Sequence, residues 1–136
     1  MAYTAKKLRQ AWSVAVRDPN GDGSLGSVTL AEGFVSTSGS YEKYFEQDGV
    51  LYHHLLDPKT GYPAESGLVS VTVVAKSGVL SDALSTACFV LGREDGMKLL
   101  EESMPKVFSS IRQQHHGDGR TERPLTRTSR DYTLVS

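Results

Sequence analysis

The stretch LVSVTVVAKSGVLSDALSTACFVLG, residues 68–92, decides the fold class. Its first eight residues, 68–75, are β-branched and largely apolar, which reads as a buried strand. The period then changes. Residues 79–92 place Leu80, Leu84, Ala87, Cys88 and Leu91 on one face at helical spacing. Ser77 before this run is suited to an N-cap and Gly92 at its end to a C-cap. A strand followed directly by a helix with an apolar stripe predicts a layered α+β domain.

Upstream the pattern is that of short strands and turns. Residues 12–17 alternate apolar and mostly polar side chains and predict a strand, stopped by the turn cluster at 18–23. Further strands are predicted at 27–30 and from Gly33 to Gly39. Residues 41–46 and 50–56 flank Gln47-Asp48-Gly49, and an Asp-Gly pair between β-prone runs predicts a hairpin. Residues 57–63, DPKTGYP, form a turn-rich loop. Downstream, residues 93–102 predict a second helix with Met97 and Leu100 inward, ended by Pro105, and 107–111 another strand. Residues 112–130 hold five Arg, two acidic residues and almost no apolar side chain. Such a segment contributes little core and reads as a long loop or disordered tail, with 131–136 a last strand. The expected organisation is one domain over residues 1–111 followed by an Arg-rich polar tail at 112–136.

Composition excludes several classes. The chain has 136 residues, 38% hydrophobic and 23% charged, with 15 Lys+Arg against 16 Asp+Glu, a net charge of 15 − 16 = −1. That length suits a single domain. The balanced charge argues against nucleic acid as a partner. No run of about 20 apolar residues is present to span a membrane. Met1–Gln10 is polar and basic rather than leader-like, so the expected location of the chain as written is the cytoplasm. One cysteine, Cys88, permits no disulfide within the chain, and at its helical position it reads as a small core residue.

Several motifs bear on chemistry. Gly21-Asp22-Gly23-Ser24-Leu25-Gly26 fits G-x-G-x-x-G, but a strand and not a helix is predicted after it, so no helix N-terminus awaits a pyrophosphate. Asp18-x-Asn20-x-Asp22-Gly23 matches the start of an EF-hand loop, yet Thr29 stands where the bidentate Glu belongs. His53 and His54 lie within the predicted strand 50–56, where neighbours point to opposite faces, so they cannot share one role. Asp82 and Thr86 are four residues apart on the predicted helix and share a face. A carboxylate and a hydroxyl so placed suit Mg²⁺, although a first-turn Asp favoured by the helix dipole and a Thr bonded back to its own helix explain the pair equally. Ser36-Thr37-Ser38-Gly39-Ser40 offers four hydroxyls and a glycine after a strand, a phosphate or ribose cradle or simply a polar turn. His115-His116 has no companion ligand nearby and reads as solvated.

Taken together, VSTSGSYEKYFEQDGVLYHHLLDPKTGYP at 35–63 followed by residues 68–92 resembles the ApbE family of flavin transferases. The likeness runs from about Trp12 to about Glu102, through STSG, HHxxDPKTGYP and SDALSTA in that order. The resemblance implies the carboxy-terminal portion of a longer transferase, with an ApbE-like (T-fold-like) α+β fold: an antiparallel or mixed sheet with two helices packed on one side. It implies that FAD is the substrate, and that FMN passes with the help of Mg²⁺ to a Thr or Ser hydroxyl of a target flavoprotein. FAD hydrolysis to FMN and AMP is the related side reaction. Carried over position by position, Asp82 and Thr86 match the metal pair. His54 is the candidate catalytic group, with His53 the weaker choice. Ser36, Thr37, Ser38 and Gly39 match the stretch approaching the dinucleotide, and Asp57, Thr60 and Gly61 the turn beside it. Ser40 departs from the acidic residue common in the family, and after Pro105 the likeness ends. Many relatives are periplasmic lipoproteins. The rival expectations are a relative that binds a flavin or adenine nucleotide without turnover, or a fragment without function; a dimer is one option for assembly.

Overall fold

The computed structural model describes residues 2–5, 11–19, 21–103, 108–113, 125–127 and 133–135. Strands β1 (Ala2–Ala5), β4 (Gly33–Gly39), β7 (Leu68–Ala75), β8 (Phe108–Gln113) and β9 (Leu125–Arg127) form one sheet in the order β1-β4-β7-β8-β9. A second sheet runs β10-β3-β2, from Thr133–Val135, Ser24–Leu30 and Trp12–Arg17. A hairpin joins β5 (Tyr44–Gln47) to β6 (Val50–His53). Every strand pairing among the described residues is antiparallel. Two helices, α1 (Gly78–Leu91) and α2 (Arg93–Ser103), complete the fold. No described helix is long and apolar enough to cross a membrane.

β7 is the centre of the molecule, and all eight of its residues are buried. Alternation divides them between two cores. Val71 and Val73 pack with Leu84, Cys88 and Phe89 of α1 and Leu100 of α2. Val74 packs the other way, with Val16, Val28, Leu30 and Val35. The five-stranded sheet therefore lies between the helices on one face and the smaller sheet on the other, which is why residues 68–75 carry no polar face. Both helices sit on one side: α1 lies on β4 and β7, and α2 packs on α1. There Gly96 comes so close that a Cβ on it would lie 3.1 Å from the Cβ and carbonyl oxygen of Cys88. Cys88 Sγ donates to the Gly96 carbonyl at 3.4 Å, and burial pushes its thiol up to about 11.

Turn chemistry is as read. Gln47 pairs with Val50, leaving Asp48 and Gly49 as a two-residue turn with φ of 53° and 76°. Two successive positive φ values are the mark of a type I′ hairpin turn. Ser77 caps α1 by accepting from the Leu80 N–H, and the Gly92 N–H returns to the Cys88 carbonyl. A strand, not a helix, follows the glycines at 21–26, so the phosphate-loop and EF-hand matches have no structural counterpart.

Four readings are corrected. The buried face of α1 is Ser81, Leu84, Ser85, Cys88 and Phe89, whereas Leu80 and Leu91 are exposed. The helix is rotated because β4 presents serines to it, and buried hydroxyls must find partners. Asp82 lies beyond the first turn of α1, which holds no acidic residue, so a dipole role there falls away. β6 ends at His53 rather than running to Leu56: the His54 N–H still reaches the Lys43 carbonyl at 3.3 Å, but the Leu55 carbonyl then accepts from the Ala64 N–H at 2.9 Å, outside the hairpin. Leu56 returns only as a single bridge to Pro63. Finally, Arg112 and Gln113 continue β8 and Leu125–Arg127 forms β9, where the sequence suggested loop or tail. An edge ladder is built from backbone groups and tolerates polar side chains. Pro105 and His115-His116 lie outside the described residues.

The rotation of α1 is tested by two truncations read by chemical denaturation. Phe89→Ala, at a fully buried site, is expected to lose about 3–5 kcal/mol of stability. Leu91→Ala, at a residue 49% exposed, is expected to lose about 1 kcal/mol or less. The reverse order would restore the face that periodicity alone suggests.

Candidate functional site

β4 delivers STSG to two different places. Alternation sends Ser36 and Ser38 toward α1 and Thr37 to the opposite face. Ser36 Oγ meets Ser81 Oγ at 2.8 Å, and Ser38 Oγ meets Ser85 Oγ at 2.9 Å and Thr86 Oγ1 at 3.0 Å. The directions of these bonds follow from the carbonyls at their ends, which only accept. Ser81 donates to the Gly78 carbonyl at 3.0 Å and Ser85 to the Asp82 carbonyl at 2.9 Å. Each hydroxyl has one hydrogen. A single assignment then gives every contact a donor: Ser36 to Ser81, and Thr86 to Ser38 to Ser85.

This relay leaves Thr86 with its hydrogen committed inward. Thr86 is exposed on α1, one turn from the exposed Asp82, and a hydroxyl that donates inward keeps its lone pairs as acceptors. Two hard oxygen donors on one solvent-facing helix surface fit Mg²⁺, which takes few protein ligands and completes its octahedron with water or phosphate. Among the described residues, no group of three or more His, Cys, Asp or Glu side chains gathers to hold a metal. Asp82 and Thr86 by themselves would leave most of a cation's coordination to water or phosphate.

Thr37, on the far face, bonds Thr72 Oγ1 at 2.9 Å. Both line a cavity of about 260 Å³ between β2 and the main sheet, with Val14, Val16, Arg17 and Tyr41. The Arg17 guanidinium sits 5.6 Å from the Tyr41 ring centroid, a cation–π distance. Burial raises the Tyr41 phenol above its ordinary value, Glu42 adds to the rise and Arg17 opposes it. Gly39 is glycine because a Cβ would fall 2.5 Å from the same Tyr41 ring.

The loop after β6 is shaped by all three residues singled out in it. Asp57 Oδ1 accepts from the Lys59 N–H at 2.8 Å, and Thr60 Oγ1 from the Tyr62 N–H at 3.2 Å. Gly61 turns the chain at φ 72°, and its N–H closes on the Asp57 carbonyl at 2.8 Å. Asp57 and Thr60 line an open groove of about 500 Å³ with Tyr62, Glu65, Val90 and Leu91. That groove lies at the carboxy-terminal end of α1, whereas Asp82 and Thr86 stand on its earlier turns. Of the sequence candidates, Ser38 and Thr86 touch across the seam between β4 and α1, and Asp57, Thr60 and Gly61 touch within their own loop.

The two histidines part as alternation requires. His53 turns inward, with its ring edge-on to Phe89 at 5.5 Å between centroids. Its Nδ1 is buried with no hydrogen-bond partner, and desolvation lowers its pKa, a backbone hydrogen bond at Ala64 working the other way. His54 is exposed, and its Nδ1 lies 3.3 Å from the Lys43 carbonyl. A carbonyl only accepts, so Nδ1 carries the hydrogen of this contact, and in the neutral ring Nε2 is the acceptor. Sequence reasoning passed over Ser81 and Ser85. Their signal was their i, i+4 spacing on a buried helix, opposite the i, i+2 pair Ser36 and Ser38.

The lowered pKa of His53 has a pH signature. The unfolded chain takes up a proton near 6.5, whereas the folded chain resists it, so His53 favours folding above that pH and less so as the pH falls through this window to the lower folded value. In denaturation at a series of pH values, His53→Gln is expected to flatten the loss of stability just below 6.5; an unchanged slope would remove His53 as its source.

Comparison with known proteins converges on one family. The ApbE family model matches residues 2–111. An FAD:protein FMN transferase of Treponema pallidum is 46% identical over 101 residues, covering 73% of this chain and 28% of its own length. The crystal structure of the ApbE protein from Thermotoga maritima superposes with a TM-score of 0.71 at 43% identity, over 85% of this chain and 36% of that one. The apo flavinyl transferase ApbE of Pseudomonas stutzeri superposes at 0.63 and 38% identity, over 88% and 35%. The chain spans about a third of the relatives it matches. With its antiparallel α+β layers and the three motifs in place, the chain belongs to the ApbE family.

Proposed function

We propose that this chain carries a metal-dependent part of an FAD:protein FMN transferase. In that reaction the hydroxyl oxygen of an acceptor Thr or Ser attacks the FMN-side phosphorus of FAD. The new phosphoester forms as the bond to the AMP phosphate breaks, and AMP leaves with the electron pair. With water in place of the acceptor, the same bond cleavage releases FMN and AMP.

The observation that carries the reading is the exposed Asp82–Thr86 face, with the Thr86 hydroxyl bonded to Ser38 at 3.0 Å. Asp82 and Thr86 would hold Mg²⁺. When bound, that ion supplies neutralisation of charge on the phosphate oxygens, worth several kcal/mol in phosphoryl transfer. His54 takes the acceptor's proton at Nε2, the nitrogen left free by its Lys43 contact. Of the stretch 36–39, Ser38 would support the metal pair through its bond to Thr86, Ser36 is buried against α1, and Thr37 faces the other side of the sheet. Asp57, Thr60 and Gly61 shape the loop beside it, and their groove receives part of the dinucleotide.

The test is direct. The chain, alone or fused to the remaining portion of a relative, is incubated with FAD, Mg²⁺ and a flavoprotein peptide bearing an acceptor Thr. The expected product is peptide heavier by one FMN phosphoryl unit, with AMP released. No transfer in either form removes the proposal. Asp82→Ala is expected to abolish transfer and its dependence on Mg²⁺; transfer retained by that variant sinks the metal assignment.

A further inference from the structure

We infer that Ser85 is a positioning residue for Thr86, acting through Ser38, an inference that rests on the proposed metal pair. The relay has a polarity set at its buried end. Ser85 is fully buried, and its hydrogen is taken by the Asp82 carbonyl at 2.9 Å. It can therefore only accept from Ser38, 2.9 Å away. Ser38, its hydrogen used in turn, can only accept from Thr86 at 3.0 Å. The Thr86 hydrogen is drawn inward, which leaves the lone pairs of its oxygen as acceptors on a residue that shares an exposed helix face with Asp82.

Removing the Ser85 hydroxyl reverses this order. Ser38 keeps a buried hydrogen that needs an acceptor, and Thr86 Oγ1, 3.0 Å away, is the hydroxyl partner it retains. Ser38 then donates to Thr86, occupying one lone pair and turning the Thr86 hydrogen outward toward the cation. No side chain in contact with the metal has changed, yet the pair binds less well. Groups that orient metal ligands from behind commonly change affinity in this way.

The fold supplies its own control. Ser81 lies one turn earlier on the same buried face and makes an equivalent bond with Ser36, but that branch ends at Gly78 and never reaches Thr86. A merely structural serine lowers thermal stability without altering cation affinity, and Ser81→Ala measures that effect.

Mn²⁺ serves as the probe, its uptake by the whole chain followed by the loss of the free-ion EPR signal, with no activity measured. Ser85→Ala is expected to raise the Mn²⁺ dissociation constant about tenfold, and Ser81→Ala to leave it unchanged, although both lower the melting temperature. Should Ser85→Ala fail to fold, Ser38→Ala removes the Thr86 acceptor from the other side and is expected to weaken Mn²⁺ to a similar degree. Unchanged affinity in the folded relay variant, with binding abolished by Asp82→Asn, overturns the role of Ser85 and leaves the metal pair standing. Binding that survives Asp82→Asn, or no Mn²⁺ uptake by the unaltered chain, overturns the metal pair, and the role of Ser85 with it.

Discussion

The seam between β4 and α1 is a double rung of hydroxyls, Ser36 to Ser81 and Ser38 to Ser85, on which much of the molecule depends. Four serines buried between a sheet and a helix leave room for close approach, but each unpaired hydroxyl in such a place costs about 1–3 kcal/mol. The constraint is therefore geometric as well as energetic. The helix must sit at the rotation and height that let both rungs close at once. That rotation places Phe89, Cys88 and Leu84 into the apolar core beside Val71 and Val73, and leaves Asp82 and Thr86 outside.

The central strand makes this arrangement possible. Because β7 is buried on both faces, the main sheet serves two cores at once, one under the helices and one against the smaller sheet. β4 follows the same division. Its serines point to the helix, whereas Val35 and Thr37 point to the smaller sheet and the cavity with Arg17 and Tyr41. A single four-residue motif thereby supports two surfaces, and the chemistry of one is insulated from the other by the sheet itself.

Hairpin and loop act as a second support for the helix. β6 brings His53 edge-on to Phe89, so the end of the hairpin rests on α1. Immediately after it, His54 turns outward over Lys43, and the Asp57 and Thr60 bonds fold the loop back along the carboxy-terminal end of the same helix. Hairpin end, loop and the two serines of β4 thus lie around one helix, while Thr37 faces away from it.

The sequence by itself determined the local features: the buried strand 68–75, the Ser77 and Gly92 caps, the Asp48-Gly49 turn, the opposite facing of His53 and His54, and the shared face of Asp82 and Thr86. These follow from periods, propensities and turn geometry that act within a few residues. The three ordered motifs carried the family likeness, which the match over residues 2–111 bears out. Periodicity misplaced the apolar stripe of α1, because hydrophobicity alone favours Leu80 and Leu91 over Ser81 and Ser85. Only the tertiary structure decided that face, by setting two serines of β4 against two of α1. It likewise decided the antiparallel order of the sheet, and the direction in which Thr86 gives its hydrogen. The hydroxyl contacts join residues 45 to 48 positions apart, and a hydroxyl has no preferred partner until the fold supplies one.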